Sequence, residues 1–126
     1  VRLARTLGLT NPPDSSTFAP YRRQAAAFRR AHVAQLARTV GGGYCGPAPS
    51  SIVATAAWQL ALSRYILDNA ENCTSADLVI ASRMGNESRQ NLLAAHELCA
   101  KEAQKRPKQN ATQNALAAIT ASGGPA

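Results

Sequence analysis

The sequence predicts an all-α fold, a bundle of about three main helices completed by oligomerisation, and three observations carry that expectation. Apolar residues recur at three- and four-residue steps through three long stretches, glycine and proline clusters separate those stretches, and no alternating β-branched run bounded by hairpin turns competes with them. Apolar residues make up 45% of the 126-residue chain, yet aromatics supply only 5% of it, so one copy buries modest volume and gains by packing against others. The domain reading is a flexible N-terminal arm over 1–16, a helical domain over 17–106 and a mobile C-terminal tail over 107–126.

The arm contains Gly8, Asn11, Pro12, Pro13, Asp14, Ser15 and Ser16, which favour turns. Thr17 or Ser16 is the expected cap of a first helix over 18–40, with Pro20 in its first turn. On a helical wheel Tyr21, Ala25, Phe28, His32, Leu36 and Val40 share one arc, while Arg22, Arg23, Arg29, Arg30 and Arg38 occupy the neighbouring half. Gly41, Gly42 and Gly43 end this helix. A second helix is expected from Pro49 or Ser50 to Asn69. It is apolar on nearly every side, through Trp58 and Leu60 among others, as suits a central helix with several neighbours. Thr74 followed by Asp77 resembles a capping box and opens a third helix over 75–105, which Pro107 should close. Leu78, Ala81, Gly85, Ser88, Leu92, Ala95 and Cys99 form a seam of mostly small residues along it, read here as the surface that assembles subunits. Gly85 predicts either a kink or a close backbone approach. Beyond Pro107 the pattern fades, leaving at most one weak helix across Ala115 to Ile119.

The formal charge is +7, and it is unevenly placed: residues 1–40 hold seven arginines against Asp14 alone, and 98–126 hold four basic residues against Glu102 alone. Such a field attracts polyanions, and a solvated arginine face that serves solubility is the alternative. Arg22, Arg23, Arg29 and Arg30 form two pairs one heptad apart, pointing the same way and placed to contact several phosphates of nucleic acid, duplex DNA above all. Lys101, Lys105, Arg106 and Lys108 form a second cluster that also suits a helix C-terminus. Arg89 lies in a stretch, 77–93, that reads two ways. Ala81 and Gly85 fit the step into the turn of a helix-turn-helix, with Ser88, Arg89, Gln90 and Asn91 opening a recognition helix; the same residues also read as one uninterrupted helix.

Catalysis is not expected. His32 and His96 have no ligand at metal-binding spacing, so neither a metal nor another cofactor is expected, and both rings are assigned to helix interfaces. The run Gly41 to Gly46 lacks the lysine and the preceding strand of a phosphate loop, and Cys45 within it has no base identified in sequence to form a thiolate. Three cysteines without disulfide-framework spacing, no leader-like opening and no membrane-length apolar run point to a cytoplasmic protein without a membrane partner. Cys45 and Cys73 bracket the second helix and should lie too far apart to bond.

The segments Pro49-Ser-Ser-Ile-Val-Ala-Thr-Ala-Ala and Ala81-Ser-Arg-Met-Gly-Asn-Glu-Ser-Arg-Gln-Asn-Leu-Leu-Ala-Ala-His-Glu-Leu resemble parts of small helical phage and prophage proteins, small terminase subunits in particular. That resemblance implies a ring-forming, non-enzymatic protein of the bacterial host cytoplasm that brings viral DNA to a large terminase subunit. The N-terminal helix-turn-helix of many small terminases has no counterpart here. A structural or adaptor protein of a phage particle, whose arginines bind an acidic protein, is the second reading.

Overall fold

A computed structural model describes the backbone of residues 2–122 and the side chains of 4–106. The described residues are helical without a strand: α1 (Arg2–Thr6), α2 (Ser15–Thr39), α3 (Pro47–Asp68) and α4 (Ser75–Ser122), with a short 3-10 turn at Ala70–Asn72 before α4. The expected all-α bundle is therefore found. α3 is the central element, packing chiefly on α4 and next on α2, while α2 and α4 barely touch.

Local chemistry sets the ends of each helix. α2 begins earlier than the sequence predicts because Asp14, not Thr17 or Ser16, is its cap: the carboxylate accepts the Thr17 amide at 2.7 Å and the Ser16 hydroxyl at 2.9 Å. Pro20 thus lies inside the helix. At the other end the Gly41 amide bonds Leu36 O and the Gly43 amide bonds Ala37 O, both at 2.8 Å, with Gly42 and Gly43 at positive φ. This closure satisfies the last carbonyls of α2. α3 starts at Pro47, since neither Pro47 nor Pro49 loses a helical hydrogen bond within a first turn. The Thr74–Asp77 capping box is present, each amide bonding the other's side chain at 3.2 Å.

Two apolar clusters fill the bundle. At the α3–α4 turn end, Phe18, Ala57, Ala61, Leu62, Ile66, Ala81 and Met84 are buried together with Ala4 and Leu9. At the opposite end Leu36, Val53, Ala95 and Cys99 join all three long helices, with Leu92 packed against them. The presence of Ala4 and Leu9 in the first cluster corrects the expected arm. Residues 4–13 are docked, and the Thr10 amide and hydroxyl both donate to Asp77 Oδ1, at 3.1 and 3.3 Å.

α4 also differs from its expected length. It does not end at Pro107 but continues to Ser122, taking in the weak helix expected at 115–119. With 48 residues against 22 for α3, it runs past the end of its neighbour. Of the expected tail, the side chains after Arg106, Lys108 included, and residues 123–126 lie outside the described residues.

Candidate nucleic-acid interface

The arc of α2 that carries Ala25 and Leu36 is buried, with Tyr21, Phe28, His32 and Val40 half-buried on the same side, so the helix has its predicted rotation. Rotation then decides the rest. Arg22, Arg23, Arg29, Arg30 and Arg38 are all exposed, and none of them makes a hydrogen bond or ion pair among the described residues, where Arg83–Glu87 at 3.8 Å is the ion pair present. Sixteen residues separate Arg22 from Arg38, about 24 Å along the axis at about 1.5 Å per residue. At 100° per residue the five cations spread over about half of the helix circumference along that length, forming one basic face.

Arg89 is not part of this face. It stands on α4, which hardly meets α2, and its guanidinium is held by Asn86 Oδ1. α4 is continuous from Ser75 to Ser122, so 77–93 is one helix and not a helix-turn-helix. Two of the four side chains expected to open a recognition helix are engaged within the bundle: Ser88 Oγ is buried and donates to Ala56 O at 2.8 Å, and Asn91 Nδ2 donates to Gln59 Oε1 at 2.8 Å, whereas Arg89 and Gln90 are exposed. Arg106, from the second basic cluster, ties down the loop after α2 by donating to Gly41 O and lies over the Tyr44 ring, 5.1 Å from its centroid.

The seam assigned to subunit assembly is used inside the chain. Ala81, Ser88, Ala95 and Cys99 are buried in the bundle, and Ser63 Oγ returns a 2.9 Å bond to Ala81 O, so α3 and α4 are joined by a serine on each side. Leu78, by contrast, is 40% exposed, about 100° around the helix from the buried Asp77. Gly85 lies within the unbroken span of α4 and does not require its bare backbone: a Cβ there would stand 3.6 Å from Ser63 Oγ, an ordinary contact. Trp58 stacks on Phe18 at 5.6 Å between centroids but keeps 37% of its surface exposed. Leu60 is half-buried and belongs to neither apolar cluster.

His32 stacks on Phe28, and burial followed by the nearby His96 lowers its pKa; His96 itself is exposed. Cys45 lies beside Ser50 Oγ at 3.5 Å. Burial, and then the neighbouring Cys45, pushes the Cys99 thiol up, away from the reactive thiolate. The glycine-loop amides of Gly41 and Gly43 are turned back on α2 and do not face an anion. Among the described residues no group of three or more His, Cys, Asp or Glu side chains is placed to hold a metal, and no helix is long and apolar enough to cross a membrane.

One further feature was hidden in the sequence. Beside the arginine face, α2 and α3 enclose a shallow groove of about 720 Å³, lined by Arg29, Arg30, Val33, Ala37, Pro47 and Ala54 among others. Each of these positions reads as ordinary helix surface alone, and only the pairing of the two helices makes them one wall. Comparison of the chain with protein-family models, curated proteins and solved structures gave no match.

Proposed function

We propose that this chain is a non-enzymatic, nucleic-acid-binding protein that works as a homo-oligomer, with the exposed face of α2 as the contact to phosphates. The observation that carries the reading is the set Arg22, Arg23, Arg29, Arg30 and Arg38, exposed on one helix and without a carboxylate partner. Arginine suits this task because its planar guanidinium is always charged and bonds phosphate through two parallel N–H groups. Leu67, Val79 and Leu93, 56%, 66% and 68% exposed, are apolar surface that self-assembly would cover, in place of the seam that α3 occupies. Recruitment of viral DNA to a packaging motor is the narrower form of the proposal, and it rests on the resemblance of 49–57 and 81–98 to small terminase subunits.

The test is native mass and duplex-DNA affinity measured across salt for the intact protein and a variant with Arg22, Arg23, Arg29 and Arg30 changed to alanine. Four phosphate contacts give a slope of log affinity on log salt of about −3.6 per binding unit, and the variant should lose most of it. Affinity for DNA that is equal in the variant, or that ignores salt, would refute the assignment of α2.

A further inference from the structure

We infer that the groove between α2 and α3 is a docking site for an amphipathic helix of a protein partner, one with a small apolar face and an acidic flank. The lining is mostly apolar and made of small side chains, Val33, Ala34, Ala37, Pro47 and Ala54, joined by the hydroxyls of Ser50 and Ser51 and by the exposed Arg29 and Arg30. The depression does not stop there. A second hollow shares Arg29 and Ala54 with it and adds Arg22 and Trp58; a third, of about 450 Å³, shares Ser51 and Ala54 and reaches Leu7 and Met84. Ala54 lines all three, so the hollows adjoin one another on one side of α3, the first two against α2 and the third against α4.

Shape and charge select the occupant. Two packed helices present a furrow into which the ridge of a third helix fits. Arg22, Arg29 and Arg30 line the α2 side without carboxylate partners, while Glu87, paired with Arg83, lines the hollow on the α4 side, so the docked helix must bring its acids to the α2 side alone. A second copy of this chain is a poor match, because it brings 14 basic residues against 7 acidic ones to an arginine rim. A nucleic acid backbone supplies the negative charge but nothing apolar to cover the alanine and valine floor.

The inference rests on the proposed function only in sharing Arg22, Arg29 and Arg30 with it, and the two separate experimentally. The probe is a labelled helical peptide of about five turns with leucine and alanine on one face and glutamates along one flank, followed by fluorescence anisotropy. A peptide with lysines in place of the glutamates is the control. Ala34→Phe and Ser51→Phe, both at exposed groove positions, fill the groove without entering the core, and Gln24→Phe places the same ring on exposed α2 surface outside it. The glutamate peptide should bind saturably and the lysine peptide should not. Both groove-filling variants should weaken binding about tenfold or more, Gln24→Phe should leave it unchanged, and Arg29→Ala or Arg30→Ala should each weaken it about two- to five-fold. Equal binding of the two peptides, or binding that survives both filling variants, would overturn the inference, as would a dimer that the filling variants dissociate. DNA binding that persists in Ala34→Phe while the peptide never binds the intact protein overturns only the docking site; peptide binding without any DNA binding overturns only the nucleic-acid proposal.

Discussion

Removing the Asp77 carboxylate should release the N-terminal segment from the bundle. Asp77 is 2% exposed and accepts from the Thr74 amide, the Thr10 amide and the Thr10 hydroxyl at 3.2, 3.1 and 3.3 Å. In Asp77→Ala two backbone amides lose their acceptor, at about 1–3 kcal/mol each when no water replaces it. Thr10 and Thr74 are themselves exposed, so water recovers part of the loss and the expected cost is about 2 kcal/mol. In urea, that moves the unfolding midpoint down by about 1 M. Limited proteolysis should at the same time cut within residues 4–13 much faster than in the intact protein. Acid unfolding gives the complementary measurement. Burial alone would raise the Asp77 pKa, but the donors from Thr10 and Thr74 outweigh it and hold the carboxyl below its ordinary 3.8. Because the folded value lies below the unfolded one, the contribution is complete above about pH 3.8 and is lost as pH falls through the folded value. Asp77→Asn should flatten that acid limb. An Asp77→Ala protein with an unchanged urea midpoint and an uncut segment would refute the assignment of Asp77 as the lock.

Four further outcomes follow from the geometry. Gly85→Ala should stabilise the protein by about 0.5–1 kcal/mol in urea unfolding, since the helix gains a better former and the methyl meets only Ser63 Oγ at 3.6 Å. Gly41→Ala should cost about 2 kcal/mol by the same assay, because its Cβ would stand 2.2 Å from Tyr44 O and 3.0 Å from Ala37 Cα. The Tyr21 phenol, bonded to Asp68 at 2.7 Å and pushed up to about 12 first by that bond and then by burial, should ionise late in a near-ultraviolet titration, and earlier in Asp68→Asn; its contribution to stability is present below the ordinary value of 10.0 and is lost as pH rises toward 12. Cys99, 1% exposed and with its thiol pKa raised by burial, should be alkylated only on unfolding, whereas half-buried Cys45 should react in the native protein.

Sequence by itself determined the central parts of the three long helices, though not α1 or the run of α4 past Pro107, and how α2 is rotated, because these depend on local spacing: Ala25 and Leu36 fall inside, the five arginines outside, and Gly42 and Gly43 stop the helix where their positive φ is needed. The Thr74–Asp77 cap was legible for the same reason, since its two bonds span three residues. What touches what along the faces of α4 was not legible. Small residues at heptad spacing suit a second subunit as well as α3, and only the folded chain, with Ser63 and Ser88 each bonded to the facing backbone, assigned them to α3. The docked N-terminal segment depends on contacts sixty-seven positions apart, from Thr10 to Asp77, and its own composition reads as turn. The groove beside the arginines is a still clearer case: Ala34, Ala37 and Ala54 carry no pattern of their own, and they become a surface only because α3 lies against α2 while α4 stands clear of it. Local spacing sets the direction of each side chain from its own helix axis, whereas a contact requires two axes to be placed relative to each other, which the sum of packing over the whole chain decides.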